Sequence, residues 1–317
     1  LLYFDIKNIK QKREKVMTKN NLISVVLGSY NRLKFLKLTI DSIRQELLGW
    51  NYETIVIDGG SDDGTIDWLA QQKDIITIVQ HNRGEWEGKK IERKSWGYFM
   101  NLGFKCAQGK YICMLSDDCL VVPNAIKNGY ELFEKELQNN KKVGSVAFYY
   151  RNWSRQTNYY VAYTLGDKMY VNHGLYLNDA LKDVDYIDEE NYFFYNGDGD
   201  LCLKLWQKGY ECIDSPDSYI EHYPHANLGV IKSNHKRQSQ DNINYFKKWT
   251  NIFYDKKLNN LGMLKEKKYE DLFCTGEKFK FIHDDIVKTN PSVLKTKKKL
   301  NLWPRIKGKV SRTLLRR

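Results

Sequence analysis

Two successive hydrophobic runs in this chain end on carboxylates, and that constrains its fold more than any other feature. Thr54-Ile55-Val56-Ile57-Asp58 leads into Gly59-Gly60-Ser61-Asp62-Asp63-Gly64-Thr65, and Tyr111-Ile112-Cys113-Met114-Leu115 leads into Ser116-Asp117-Asp118. A short β-branched or apolar run that stops on an acid reads as a buried parallel strand delivering a carboxylate to the carboxyl edge of a sheet. In open α/β sheets, ligands bind at that edge. Adjacent carboxylates there repel each other unless a cation lies between them, and hard divalent cations take oxygen ligands. The pattern points to a metal-assisted nucleotide site. Taken singly, each motif is also ordinary turn chemistry, because Asp and Gly cap strands and open helices without any ligand. Their joint occurrence on alternating strand and helix patterns favours the functional reading.

That alternation runs through the first half of the chain. Leu22 to Leu27 reads as a buried strand, and Leu33, Leu36, Ile40 and Ile43 then recur at helical spacing. The strand ending at Asp58 is followed by a helix opening at Thr65, a strand at Ile75–Val79, a helix near 95–107 and the strand ending at Ser116. Pro123 suits a first helical turn, with Ile126, Tyr130, Phe133 and Leu137 as its inner stripe. Val143 to Tyr150 reads as a further strand. This order predicts an α/β fold with a mainly parallel, doubly wound sheet flanked by helices. From Arg151 to Tyr195 the chain becomes aromatic, and after about Ile231 it reads as a C-terminal helical extension. The expected division is a leader over 1–21, a first half of the α/β domain over 22–122, a second half over 123–230, and the extension with a basic tail over 231–317.

At 317 residues, 42% of them hydrophobic, the chain is long enough for one large globular domain with an appendage. Its six cysteines show neither CxxC pairs nor zinc spacing, which suits free thiols in a reducing, cytoplasmic compartment. No apolar stretch approaches the roughly 20 residues that span a bilayer. The first residue is not Met, so the true N-terminus is expected to lie upstream. Ten of the residues from Ser292 to Arg317 are Lys or Arg and none is acidic, so this tail carries nearly all of the net charge of +12. A nearly neutral body argues against a nucleic-acid binder. Cations interleaved with Leu300, Leu302, Trp303 and Ile306 instead suggest a peripheral contact with an anionic membrane surface, the alternative being a solvated tail.

Five segments in order resemble the family-2 glycosyltransferases of the GT-A fold. They are Ser24 to Arg32, Val56 to Thr65, Asn101 with Ala107 to Ile112, Leu115 to Asp118, and Asn196 to Lys204 followed by Gly209-Tyr210. The resemblance implies an inverting transferase that takes a nucleotide-diphosphate sugar, with UDP or dTDP as the nucleotide, and glycosylates a glycan or glycolipid acceptor in surface polysaccharide synthesis. Carried over by position, Ser29, Tyr30, Arg32, Asp58 and Asp117 would serve the nucleotide, Asp58 contacting the base. Asp118 and His222 would hold Mn2+ or Mg2+, with His225 as a rival ligand. Asp198 would be the base that deprotonates the acceptor, and Asp200 would stand beside it to place the loop or acceptor. Ser116 replaces the usual first acid of the metal motif, and Met100 stands where a basic residue often precedes Asn101. The long, charged segment 84–95 reads as a lid.

The chemistry of these assignments stands apart from the family. Displacing a nucleoside diphosphate from an anomeric carbon builds charge that a metal neutralises, and a hydroxyl attacks only once a carboxylate takes its proton. Asp198 and Asp200 also suit a helix N-terminus, where acids are favoured. Two other readings remain open at this stage. A nucleotidyltransferase also uses paired acids at strand ends, but Gly28-Ser29-Tyr30-Asn31-Arg32 lacks its Gly-rich basic loop. A non-catalytic glycan-binding protein on the same fold is the third.

Overall fold

The computed structural model describes residues 22–82, 84–224 and 228–289, apart from the side chains of Trp86, Leu228 and Ile231. The leader, His225 and the basic tail lie outside the described residues. The strands are β1 (Ile23–Ser29), β2 (Tyr52–Asp58), β3 (Ile75–Val79), β4 (Glu85–Trp86), β5 (Lys89–Lys90), β6 (Tyr111–Met114), β7 (Cys119–Val121), β8 (Val143–Asn152), β9 (Asn158–Tyr163), β10 (Met169–Tyr170), β11 (Gly174–Leu177), β12 (Glu211–His222) and β13 (Leu264–Lys268). The α-helices are α1 (Leu33–Glu46), α2 (Thr65–Ala70), α3 (Trp96–Cys106), α4 (Ala125–Gln138), α5 (Asn178–Asp183), α6 (Gly197–Gln207), α7 (Leu228–His235), α8 (Gln238–Trp249) and α9 (Lys280–Thr289). The described residues fall into two compact units, one ending at Lys278 and the other beginning at Phe279 and including α9.

Among the described residues, eleven strands form one sheet, with the path β10-β9-β8-β11-β6-β1-β2-β3 and with β12, β7 and β13 off it. The half built from β6, β1, β2 and β3 is wholly parallel. In the other half β11 runs antiparallel to both β6 and β8. The α/β class expected from the sequence is present, and the antiparallel pairs β8–β9 and β9–β10 arise where short returns such as 153–157 replace helical crossovers. A parallel neighbour needs such a crossover, whereas an antiparallel one needs only a turn.

The period of two in β1 divides the core. Ile23, Val25 and Leu27 face a layer shared with Leu36, Ile40 and Ile43 of α1 and Phe133 of α4. Val26, with Ile55 and Ile57, faces the layer of α3 and α6, where Phe104, Leu201 and Leu205 are buried. Each such aliphatic side chain contributes about 1.5–3 kcal/mol by leaving water. Helix α3 lies very close to the sheet at Gly103, where an added Cβ would stand 2.5 Å from Val26 and 2.6 Å from Ile57.

One buried acid helps to fix the layers on the α1 side. Glu46, at the end of α1, accepts the backbone N–H groups of Asn124, Ile126 and Lys127 and so caps α4 from outside that helix. The segment 84–95 carries the β4–β5 hairpin and is closed at its base by Asn82, whose Oδ1 accepts the Lys94 amide at 2.6 Å. Because β1, β2 and β6 are parallel, their carboxyl ends share one edge, with Ser29 directly opposite Asp58.

Candidate active site

Strand register assembles the acid turn and the late histidine. β12 runs antiparallel to β7, pairing His222 with Cys119, and parallel to β8, pairing His222 with Asn152. His222 is thus set beside Asp118, whose carbonyl accepts the Tyr223 amide at 2.8 Å. His222 Nε2 stands 3.5 Å from Asp118 Oδ1, and His222 Nδ1 lies 2.7 Å from Asn152 Oδ1. Asn152 Nδ2 donates to Gln156 Oε1, so the amide oxygen is the atom turned to the histidine. His222 Nδ1 then carries the proton, and the Nε2 lone pair faces a carboxylate oxygen. Burial lowers the pKa of His222 against the opposing pull of Asp118, so the neutral ring prevails at neutral pH.

Two acceptors facing each other at that distance suit a shared cation, since ligands about 2.1 Å from one metal stand about 3–3.5 Å apart. Among the described residues no group of three or more His, Cys, Asp or Glu is clustered for a metal. A two-ligand site is what Mg2+ or Mn2+ uses when substrate phosphates and water complete the shell.

Arg32 supplies the positive charge at this edge. Its Nη1 donates to Asp117 Oδ1 at 2.6 Å and to Asp118 Oδ2 at 2.9 Å, with all three groups largely buried. Burial and the Asp118 charge push the Asp117 carboxyl up to about 6, while Arg32 and the Ser116 hydroxyl hold Asp118 below its ordinary value. Ser116 therefore supports the turn by donating to Asp118 Oδ1. Among the described residues, Ser29 Oγ and Asp117 Oδ2 are buried without a well-formed hydrogen bond. Both belong to residues lining a cleft with Tyr30, Arg32, Arg93 and Phe193.

Asp58 is placed differently from the sequence expectation. It is fully buried, and its oxygens accept the amides of Gly60 and Ser61 and the Ser61 hydroxyl. It shapes the loop after β2 instead of reaching into the cleft, because three donors two and three residues onward capture it first. That loop is locked to the one after β1: Asn31 and Asp62 exchange two hydrogen bonds, and Asp63 caps α1 through the Leu33 amide. Tyr30, Arg32 and Gly59 are among the residues this pair of loops presents to the cleft.

Asp198 and Asp200 both lie in the first turn of α6, with different surroundings. Asp198 accepts Asn172 Nδ2 at 3.0 Å and the Gly199 amide at 2.8 Å, and burial raises its pKa against these bonds. Its charge also helps to push up the hydroxyls of Tyr150 and Tyr170, whose burial is the larger cause. Asp200 is fully buried and engaged, accepting Tyr192 Oη, Trp249 Nε1 and Lys248 Nζ. It braces the start of α6 against Tyr192 and α8.

Sequence reasoning missed four contributors. Asn152 carries no motif and is found only through the β8–β12 register. Thr39 reaches from α1 to the carbonyls of Asp117 and Cys119 at 2.9 and 2.7 Å, holding the acid turn. His173, buried between Cys119 and His222, has its pKa pushed down to about 3 and is a neutral wall of the site. Arg93 links the hairpin segment to α7 by donating to Ser233 and Asn234 and covers the Phe193 ring. A separate polar pocket of about 460 Å³, bounded by Lys105, Asp188, Glu189 and Lys248, contains none of the expected site residues.

Residues 24–176 match the model of Glycosyl transferase family 2, the span that holds β1, both acid-ending strands and the acid turn. That segment belongs to the family. Among curated relatives, chondroitin synthase of Escherichia coli is 28% identical over 33% of this chain and 14% of its own length. A dolichyl N-acetyl-alpha-D-glucosaminyl phosphate 3-beta-D-2,3-diacetamido-2,3-dideoxy-beta-D-glucuronosyltransferase of Methanococcus voltae is 20% identical over 66% of this chain and 68% of its own. The solved mannosyltransferase of Pyrobaculum calidifontis, in complex with GDP-Man and Mn2+, superposes with a TM-score of 0.53 at 16% identity, covering 78% of this chain and 73% of that one. The last similarity is one of fold, and the fold is GT-A-like.

Within this family-2 segment, the Arg32 pair of contacts gives a test that needs no substrate. Arg32→Leu leaves Asp117 and Asp118 buried together, and breaking such a pair destabilises by about 3–5 kcal/mol. A carboxyl raised to about 6 contributes stability that is present below its unfolded pKa and lost as pH rises through 6. Urea unfolding in metal-free buffer should therefore show a larger loss for Arg32→Leu at pH 7.5 than at pH 5. Equal losses at both values would show that Asp117 is not the group Arg32 compensates.

Proposed function

We propose that this chain is an inverting, divalent-cation-dependent glycosyltransferase that moves a sugar from a UDP or dTDP donor to a hydroxyl of a glycan or glycolipid. The observation that carries the reading is the neutral His222 Nε2 facing Asp118 Oδ1 at 3.5 Å, beside a cleft rimmed by Arg32 and Tyr30. The solved relative's GDP-Man and Mn2+ support a nucleotide-sugar donor with a cation. The lipid-phosphate-linked sugar in the Methanococcus voltae relative's name supports a membrane-borne acceptor.

In this reading Ser29, Tyr30, Arg32 and Asp117 orient the nucleotide and its diphosphate, and Asp118 with His222 holds Mn2+ or Mg2+. When bound, the cation would neutralise charge on the departing diphosphate. Asp198 accepts the proton of the acceptor hydroxyl as its oxygen bonds to the anomeric carbon and the bond to the diphosphate breaks. Attack opposite the leaving group inverts the anomeric centre. Residues 22–122 serve the donor and residues 123–230 the acceptor.

Nucleotide release from a panel of UDP-, dTDP- and GDP-sugars with MnCl2 tests the assignment. The reading expects a nucleoside diphosphate as product, abolished by EDTA, with Asp118→Ala losing most activity while staying folded. Release of pyrophosphate would favour a nucleotidyltransferase, and turnover indifferent to EDTA would remove the cation from the account.

Asp198→Asn keeps shape and helix capping but accepts no proton. Turnover should fall by roughly 10²- to 10⁴-fold with donor binding nearly unchanged. Asp200→Asn should act mainly on stability, through its buried contacts with Lys248 and Trp249. Near-normal turnover for Asp198→Asn would dismiss it as the base.

Among the described residues no helix is long and apolar enough to cross a membrane. The basic segment after Pro291 supports peripheral attachment to an anionic surface, on the cytoplasmic face, by about 1 kcal/mol per cation near the lipid. Truncation after Pro291 should release the protein from phosphatidylserine vesicles in a sedimentation assay. Equal binding of full-length and truncated chains would overturn the attachment.

A further inference from the structure

We infer that Asp241 is a positioning residue for the base, and that α8 is the splint through which it acts. The inference rests on the reading of Asp198 as the base. Asp241 is 2% exposed, and its carboxylate accepts three consecutive backbone amides, those of Phe193 at 2.9 Å, Phe194 at 3.0 Å and Tyr195 at 2.8 Å. Three successive N–H groups turned to one side form an anion-binding concavity, and here the chain fills it with its own acid. A carboxylate, with two oxygens that accept and no N–H of its own, suits all three.

Two residues separate Tyr195 from Asp198, and the first of them, Asn196, is left-handed with φ of 67°. A segment so short and so bent transmits any shift of 193–195 to the start of α6. The same face of α8 grips that segment at further points. Asn242 Oδ1 accepts Asn196 Nδ2 at 2.8 Å, and Lys248 and Trp249, two turns on, hold Asp200. Tyr245 between them bonds Thr164 and packs on Tyr192. Helical spacing places residues 241, 245, 248 and 249 on one side, so a single helix registers the whole stretch from Tyr192 to Asp200. The Phe193 carbonyl also accepts the Trp96 amide, tying this stretch to α3.

Asp241→Asn is isosteric, but its NH2 group must face an amide N–H. Catalytic groups must be held within about 0.5 Å, and misplacement by about 1 Å lowers rates by about 10²-fold. With the nucleotide sugar that supports turnover in the panel above, kcat for Asp241→Asn should fall about 10- to 100-fold while the donor KM moves less than about threefold. Added to Asp198→Asn, it should lower kcat by less than about threefold more, because a positioner has nothing left to position. An impaired Asp198→Asn beside a wild-type kcat for Asp241→Asn, or losses that multiply, would overturn the positioning role. Unimpaired Asp198→Asn would defeat the base reading itself, a separate result. Where Asp241→Asn melts below the assay temperature, Asn242→Ala loses only the Asn196 brace. It should lower kcat by about 3- to 10-fold with the same non-additivity, and an unchanged kcat would overturn the inference.

Discussion

The placement of β12 between β7 and β8 is the constraint on which the rest of the site depends. One antiparallel pairing aligns His222 with Cys119, and one parallel pairing aligns it with Asn152. The first brings the imidazole to Asp118 and the second fixes its tautomer. A slip of one residue would turn His222 to the opposite face of the sheet and separate it from both partners. The irregularity between Ser215 and Tyr219 lies just upstream and sets the phase in which β12 resumes its pairing.

Charge is arranged around that register so that each acid has a different environment. Asp117 and Asp118 share Arg32, yet burial raises one while the surrounding donors lower the other. Asp200 is neutralised by Lys248 inside the protein, whereas Asp198, two residues away, has an amide and a backbone N–H. Burial and hydrogen-bond partners drive neighbouring carboxylates such as Asp117 and Asp118 to different proton affinities. Helix capping and proton acceptance are compatible at Asp198, since the first turn of α6 leaves one of its oxygens to a side chain.

Support for these groups comes from elements far away in sequence. Thr39 of α1 holds the acid turn, Glu46 at the end of the same helix caps α4, and Asp241 of α8 ties down the strand of amides before α6. Arg93 connects the hairpin segment to α7 across the Phe193 ring. Thr39, Glu46 and Asp241 are buried polar groups satisfied by backbone partners, and removal of any one leaves a desolvated donor or acceptor behind.

The alternation of strands and helices, the acids ending β2 and following β6, and the Asp198 helix start were legible because each is a local pattern: a period of two or of 3.6, closed by a residue with a turn or cap preference. Periodicity says nothing about which strands become neighbours, so the antiparallel β11 and the partnership of His222 with Asn152 emerge only from long-range pairing. The same limit explains Asp58, whose strand-end position was read correctly while its carboxylate was captured by the turn it precedes. Asp241 looks like one more polar residue on a surface helix, because its three amide partners lie 46 to 48 positions away. Local chemistry determined the strands, the helices and the acids. Packing decided which acids border the cleft and which are consumed in holding backbone and side chains in place, because burial and hydrogen-bond partners belong to the fold and not to the residue.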